Sequence, residues 1–465
     1  MAAMSVFEVV EDQAKKKKTI PNVVLGIVLG ICCILAVAPG LNRYCAFALI
    51  PCIAILFFYD EFYLLAAVFL FFSEQLTLAA SITLFRAYNY LFLLRFVLFD
   101  LRKVKFKAWL FPGVAVMILY AVFALPNADV SVTVQLYIKQ GLEPPSKLFI
   151  NMKLILNYFL SIFYMLFLAL KLYSDRSLAK RLFQLIPLFA VLAGIYGVRG
   201  GNTFLYMLGY DNNGEVTATR YNATFNDPNH ASLYFNISIF AALLLYDFKK
   251  WYIKIPLLLA LYYFLIAAGS MTGLAVQICG LAVFAVVKYR KKAIVMILAI
   301  AISLGAAILT VMAVPKLRHL SVVQNLELRI QRQFLQNDSE NADALTSGRV
   351  GQWQKYWGYF KEQSIPKKLF GGNIMTLVSI DPYFIEHFQY GPHQAYLGFL
   401  LNFGILGLLI FMTGFFIKIT YLGLMALLYQ DEVAGVLFMA SVVWFLYGWG
   451  LDYFYNTTVM LFYFL

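Results

Sequence analysis

The sequence predicts an all-α integral membrane protein, a bundle of about 12 to 14 transmembrane helices with one large helical extracytoplasmic loop. Two observations carry this prediction. Of the 465 residues, 62% are hydrophobic and only 13% are charged, whereas an ordinary soluble domain carries about 25% charged residues. Uninterrupted apolar stretches long enough to cross a bilayer recur along the whole chain. These features exclude a soluble globular enzyme, a disordered chain and a small disulfide-bonded scaffold.

The apolar stretches define the predicted transmembrane helices. They cover residues 20–38, 43–59, 62–80, 82–100, 108–126, 148–172, 179–199, 229–246, 252–268, 271–287, 293–314, 403–425 and 432–450. A last apolar stretch, 457–465, is too short to span. The first stretch lacks a small-residue cleavage site and is followed at once by another span, so we expect a retained helix rather than a signal peptide.

Positive charges alternate along the chain in register with these spans. The net charge is +13, and five connections hold 19 of the 37 basic residues. These connections lie at residues 15–18, 102–107, 171–181, 249–254 and 288–292. The alternate short connections hold five basic and six acidic residues. By the positive-inside rule the basic connections and the N-terminus are cytoplasmic, and nucleic acid is not an expected partner.

The same alternation places one long polar segment outside. It follows that residues 1–19 form a cytoplasmic tail, 20–314 transmembrane helices, 315–392 the large extracytoplasmic loop and 393–465 the C-terminal transmembrane helices. Apolar residues at helical spacing predict an amphipathic helix over 320–336, and Ser347 is a candidate N-cap for a second helix. Such a loop fits either an active-site cap or a segment that only packs on the bundle.

A histidine and several arginines are the candidates for chemistry, because the chain holds no P-loop, HExxH or GxSxG motif. His393 lies where the loop re-enters the bilayer, in position to take a proton from an acceptor hydroxyl. The plainer alternative is an interfacial histidine that caps a helix. The planar guanidinium group suits phosphate oxygens, or it pairs with nearby acids. Arginines near predicted outer span ends are Arg86, Arg199, Arg220 and Arg349.

The segment before residue 229 combines a turn with polar side chains. Asn226-Asp227-Pro228 is a good N-cap sequence directly before an apolar helix. A helix start therefore accounts for part of this motif, and the functional interpretation is that Arg220 and Asn229 face the mouth of the bundle. We expect Arg95 and Lys153 to be structural residues whose charges snorkel toward the membrane surface.

Several short motifs, taken in order, resemble the O-antigen ligase and O-antigen polymerase family of bacterial membrane glycosyltransferases. They lie within residues 190–425, and the N-terminal half is similar only in its hydrophobic helices. The motifs are Arg220 with Phe225-Asn226-Asp227-Pro228-Asn229, Ser270-Met271-Thr272-Gly273, Ser347-Gly348-Arg349 with Trp353, Leu369-Phe370-Gly371-Gly372, Pro392-His393-Gln394-Ala395-Tyr396-Leu397 and Asn402-Phe403-Gly404-Ile405-Leu406-Gly407.

The resemblance implies roles for these residues. His393 is the implied base or acceptor-positioning residue. The implied diphosphate-binding residues are Arg220 and Arg349, with Arg86 and Arg199 as further candidates. The implied substrate-binding residues are Asn229 and the aromatic Trp353, Trp357 and Tyr383, which are expected to stack on sugars. The family often has an arginine where this chain has Met271 or Thr272, so a phosphate contact is not expected there.

The implied function is transfer of a glycan from a polyprenyl diphosphate, either to another lipid-linked repeat unit or to a different acceptor. No metal or other cofactor is expected, since arginines supply the positive charge. The expected partners are the lipid-linked glycan, membrane lipids and other polysaccharide-assembly proteins, and the expected location is the bacterial cytoplasmic membrane. The alternatives are a flippase for the lipid-linked glycan and a non-catalytic scaffold of the cell envelope.

Overall fold

The structure is a computed structural model that describes residues 6–79, 82–123, 130, 134, 138, 141, 143–200, 203–205, 219–225, 227–330, 349–372, 392–451 and 457–465. The helices before the first long gap are α1 (Val6–Val37), α2 (Asn42–Leu56), α3 (Ala66–Phe72), α4 (Leu84–Arg95) and α5 (Leu110–Phe123). Next come α6 (Lys147–Ser174), α7 (Arg176–Arg199), α8 (Pro228–Leu245), α9 (Trp251–Ala267), α10 (Met271–Tyr289) and α11 (Ala293–Ala313).

Shorter elements and the C-terminal helices complete the described part. They are α12 (Pro315–Arg318), α13 (Ser321–Ile330), α14 (Arg349–Glu362), α15 (Ile365–Phe370), α16 (Ala395–Tyr429), α17 (Glu432–Tyr447) and α18 (Thr457–Phe464). Two antiparallel strand pairs join β1 (Thr77–Ala79) to β2 (Ile82–Thr83) and β3 (Thr203–Leu205) to β4 (Thr219–Tyr221). Helix α13 lies within the predicted amphipathic segment, and α14 begins two residues after Ser347.

The helices are those of a membrane protein. Among the described residues, six segments are long and apolar enough to cross a bilayer. They are Thr19–Val37, Pro39–Leu56, Lys147–Ser174, Arg176–Arg199, Met271–Ser303 and Ala395–Tyr429. Helix α11 exposes large apolar side chains along most of its length, Ile294 by 73% and Ile302 by 71%, as a lipid-facing helix does. The predicted all-α integral membrane fold is therefore confirmed.

Two predicted spans are not continuous helices. The segment 62–80 is divided between a 3₁₀ turn at Asp60–Leu65, α3 and β1, because polar residues from Ser73 to Gln75 interrupt the apolar run. The segment 82–100 is divided between α4 and a π-helical turn at Phe96–Asp100. Short and broken helices are tolerated where neighbouring helices bury them.

Helix α8 lies at the centre of the bundle. It packs against α7, α9, α10 and α17, and nearly all of its residues are buried. A helix that is apolar on all sides belongs in a core, and the sequence of α8 has this character. Its buried polar residues Ser232, Asn236 and Ser238 each bond to a backbone carbonyl of the preceding turn. These bonds satisfy the buried polar groups within α8, and its packing against four neighbours fixes the position of the helix.

A buried ion-pair network joins α4, α6 and the 3₁₀ turn at Asp60–Leu65. Arg95 donates to Asp100 at 2.7 Å and to Asp60 at 3.2 Å. Lys171 donates to the same two carboxylates, at 2.7 Å to Asp100 and 2.9 Å to Asp60. Tyr63 donates to Asp100 at 2.8 Å. Arg95 is structural, as expected, but the expectation that it snorkels is wrong, because two acids neutralise it inside the protein.

Helix α16 is broken near its start, where the loop helix α15 docks on it. Gly404, within α16, has a φ of +70°, and Gly371, just after α15, has a φ of +75°. A Cβ atom on Gly371 would lie 2.2 Å from the carbonyl oxygen of Asn402, and one on Gly404 would lie 2.3 Å from that of Leu369. Only glycine allows both the positive φ and this backbone approach. The two glycines thus fix α15 to the first turns of α16.

Candidate active site

Four separated segments meet at one end of the bundle, which we call the site end. They are the turn before α8, the start of α10, the start of α14 and the start of α16. The site end is defined by contacts between residues of these segments. They are the segments that carry most of the sequence motifs described above.

The turn before α8 is the predicted helix start. Asp227 caps α8, and its carboxylate accepts a hydrogen bond from the backbone N–H of Asn229 at 2.5 Å, with Pro228 at the first helical position. An Asp-Pro pair suits this position because the carboxylate satisfies a free N–H and proline lacks one. The carbonyl of Thr224 in the same turn accepts a hydrogen bond from Gln75. The helix start is confirmed, and it presents the Asp227 carboxylate toward the site end.

A buried hydrogen-bond network ties α8 to α10 and α17. Ser270 caps α10, accepting from the N–H of Gly273 at 3.0 Å, and donates to Asn229 Oδ1 at 2.7 Å. Two turns further along α8, Asn236 Nδ2 donates to the carbonyl of Gly273 at 3.1 Å and to Tyr447 Oη at 3.0 Å. Asn229 is buried, so it lies in the wall of the site and holds the start of α10 in place.

Arg349 is the first residue of α14, and its side chain extends toward the turn that follows α17. Its Nη1 donates to the carbonyl of Gly450 at 2.9 Å, in the turn that follows α17. A Cβ atom on Gly450 would lie 3.0 Å from that Nη1 atom and 2.8 Å from Thr272 Oγ1, so the arginine and the threonine flank the same point. The guanidinium group is half-buried beside the start of α10, where backbone N–H groups also carry partial positive charge.

His393 lies two residues before α16 in a left-handed backbone conformation with a φ of +48°. This region is uncommon for a residue other than glycine, although histidine is among the residues enriched there, and such conformations cluster at functional sites. Loss of solvent lowers the pKa of His393 from its ordinary 6.5, the positive charge of Arg349 lowers it further, and the negative charge of Asp227 raises it. At neutral pH the imidazole is therefore neutral and able to accept a proton.

The remaining arginines are placed less centrally or described only in part. Arg220 lies in β4, with its backbone paired to Phe204 of β3, and β4 lies against α9. The side chain of Arg220 lies outside the described structure. Arg86 is exposed in the first turn of α4. Arg199 is exposed at the end of α7, where its Nε donates to the carbonyl of Val37 at 3.4 Å. These three stay predictions as diphosphate ligands.

The predicted aromatic residues lie on the loop. Trp353 is half-buried against a cluster of α14 and α16 side chains, and among the described residues its indole N–H has no hydrogen-bond partner. Trp357 is 45% exposed and stacks on Phe360, with ring centroids 5.5 Å apart. Tyr383 lies outside the described residues. The exposed ring of Trp357 is available to bind an extended ligand, whereas the indole nitrogen of Trp353 is buried.

The comparison with known families bears directly on this region. Residues 255–412 match the family model described as O-Antigen ligase. The chain contains an O-antigen ligase domain. Nothing among the curated proteins matches this chain. The resemblance predicted from the motifs is thereby confirmed over residues 255–412, and the match supports an O-antigen ligase-type membrane enzyme.

The O-antigen ligase domain supplies part of the site end. It runs from α9 into α16 and includes Ser270, Arg349 and His393. The Asp227 turn precedes the matched segment, and the turn after α17 follows it. Sequence reasoning missed this last turn, because Gly448 and Gly450 carry no functional group and contribute only backbone carbonyls. The pair of glycines at the end of an apolar helix was the one available signal.

Proposed function

We propose that the protein is a membrane glycosyltransferase that polymerises or ligates undecaprenyl-diphosphate-linked oligosaccharide repeat units for O-antigen, capsule or exopolysaccharide synthesis. The observation that supports this most is the meeting of a neutral histidine, His393, with a cation, Arg349, inside the O-antigen ligase domain. In the proposal the site end faces outward from the bacterial cytoplasmic membrane, and the N-terminus is inside.

His393 acts on the acceptor hydroxyl and Arg349 acts on the departing diphosphate. The acceptor hydroxyl oxygen forms a bond to the anomeric carbon of the donor while the bond from that carbon to the phosphate oxygen breaks. His393 takes the hydroxyl proton, which its neutral form allows. The phosphate oxygen keeps the bonding electrons, and Arg349 binds the diphosphate as its charge grows. The products are a lengthened or transferred glycan and undecaprenyl diphosphate.

Other residues extend this arrangement. Arg220, in the strand beside α9, and Arg86 and Arg199 are proposed as further contacts of the diphosphate. Trp353 and Trp357 are proposed to bind sugar rings along α14, Trp357 through its exposed ring. Asn229 supports the substrate site through its hydrogen bond from Ser270 at 2.7 Å.

The test is reconstitution of the full chain in proteoliposomes with undecaprenyl-diphosphate-linked repeat units. A ladder of longer lipid-linked glycans from this single substrate indicates a polymerase. Product that forms only after a separate acceptor is added indicates a ligase. Movement of the lipid-linked unit across the bilayer without a new glycosidic bond would instead support a flippase, and neither activity would support a scaffold.

His393→Ala supplies the decisive variant. Loss of a general base costs about 10²- to 10⁴-fold in rate, so we expect the ladder to vanish at matched protein levels. His319→Ala is the matched control, because His319 is exposed and lies in another part of the loop. An unchanged rate for His393→Ala would overturn the assignment of the base.

A further inference from the structure

The turn after α17 contacts Arg349 and the two residues that begin α16 just after His393, although it lies beyond the matched O-antigen ligase domain. We propose that this turn, Gly448–Leu451, positions Arg349 and the His393 segment relative to each other. This proposal rests on the proposed function, because only glycosyl transfer requires Arg349 and His393 to be held in a fixed relative position. It assigns Gly448 and Gly450 as positioning residues, which act through the side chains they hold.

The first contact fixes the His393 segment. The backbone N–H of Ala395 donates to the carbonyl of Gly448 at 2.8 Å. The Tyr396 ring lies so close to Gly448 that a Cβ atom there would be 2.6 Å from the ring, and Tyr396 also donates to the carbonyl of Phe445. Because His393 precedes Ala395 by two residues, these contacts with the end of α17 constrain the position of the imidazole.

The second contact fixes Arg349. Its Nη1 atom donates to the carbonyl of Gly450 at 2.9 Å, and the missing side chain of Gly450 leaves the space that the guanidinium occupies. Gly450 is buried, and its φ is negative, so alanine is compatible with its backbone. Gly450→Ala therefore tests whether the space beside the guanidinium group is needed, without straining the backbone.

The end of α17 is itself held rigidly. Tyr447 accepts a hydrogen bond from Asn236 of α8 at 3.0 Å, and the N–H of Gly450 donates to the carbonyl of Tyr447 at 2.9 Å. A catalytic pair needs fixed geometry, since a displacement of about 1 Å can cost on the order of 10²-fold in rate. The turn thus connects the central helix of the bundle to both members of the pair.

The experiment compares Gly450→Ala with Arg349→Ala by measuring binding of undecaprenyl diphosphate to the purified full chain. Undecaprenyl diphosphate is the lipid product shared by every proposed donor, so the sugar need not be known. We expect each variant to weaken binding by about 10-fold, since a charge-assisted hydrogen bond is lost or misplaced. The double variant should bind no more weakly than Arg349→Ala if Gly450 acts through the arginine. A further loss would come from the contact of the methyl group with Thr272 and would count against the positioning role.

A matched control and a second measurement complete the test. Gly358→Ala in α14 adds a methyl group where no atom lies within 4 Å, and it should bind as the unmodified chain does. In the glycosyl transfer assay Gly450→Ala should raise the pH midpoint of the acid limb, because the positive charge of Arg349 moves away from His393. A loss of folding alone would not move this midpoint.

The outcomes separate the two proposals. If Arg349→Ala binds undecaprenyl diphosphate normally, the diphosphate assignment of the proposed function fails. If Arg349→Ala weakens binding but Gly450→Ala does not, the positioning role is overturned and the proposed function stands. The positioning role is also overturned if Gly450→Ala weakens binding equally in the presence and in the absence of Arg349. The turn would then affect binding independently of the arginine.

Discussion

Replacing Lys171 with methionine should strongly destabilise the protein. Lys171 is 9% exposed and donates to Asp100, which is 4% exposed, and to Asp60, which is 56% exposed. Water can solvate Asp60 after the change, whereas Asp100 keeps only Arg95 and Tyr63 as partners. Removing one partner of a buried ion pair costs about 3–5 kcal/mol, and the remaining cation places the expected loss near 3 kcal/mol.

The chain contains a matched exposed pair for comparison. Lys180 donates to Glu432 at 2.9 Å, the same distance as from Lys171 to Asp60, but the two side chains are 44% and 46% exposed. Exposed pairs contribute about 0–1 kcal/mol, so Lys180→Met should have little effect. The free energy of unfolding can be measured for each variant by denaturant titration in mixed micelles.

A double variant identifies the cause of the loss. Asp100→Asn combined with Lys171→Met leaves one arginine and one aspartate in the network, so part of the lost stability should return. The reasoning is refuted if Lys171→Met is no more destabilising than Lys180→Met. It is also refuted if the double variant is less stable than Lys171→Met, because an uncompensated Asp100 would then not be the source of the cost.

Two further predictions concern the site end. The acid limb of the transfer rate should have its midpoint below pH 6.5, since the pKa of His393 is lowered and activity needs its neutral form. Arg349→Ala should raise this midpoint and Asp227→Asn should lower it, and shifts of the opposite sign in a rate–pH profile would contradict the electrostatics. Gly371→Ala should destabilise by about 1–3 kcal/mol or more, because its φ of +75° and the nearby α16 carbonyl exclude a side chain. Thermal unfolding should show this loss for Gly371→Ala and none for Gly358→Ala.

Local features of this protein were predictable from sequence because they depend on neighbouring residues. The cap formed by Asp227 and Pro228 is such a feature, since both residues act on the helix that directly follows them. The helix that carries Trp353 and Trp357 is another, although its predicted cap, Ser347, lies outside the described residues. His393 and Arg349 were selected from the sequence because a charged or titratable group near the end of an apolar span is costly to bury. The structure places both at the site end, and their roles stay predictions.

Features that depend on distant segments were not predictable. Arg95 was expected to snorkel, yet its acid partners come from its own π-helical turn and from a turn 35 residues away along the chain. The turn after α17 contributes carbonyl groups, and every residue has one. Which carbonyl meets Arg349 is decided by the packing of α17 on α8, and a single sequence does not contain that information.

The break at Gly404 divides α16 into two mechanical parts. The short first part directly follows His393 and is fixed to α15 and to the turn after α17, and the longer second part continues through the bundle as far as Tyr429. A continuous helix would transmit any force on the loop along its whole length into the bundle. Here the helical hydrogen-bond ladder is interrupted, so the position of the imidazole depends on α15 and on the turn after α17, and not on the register of the long second part of α16.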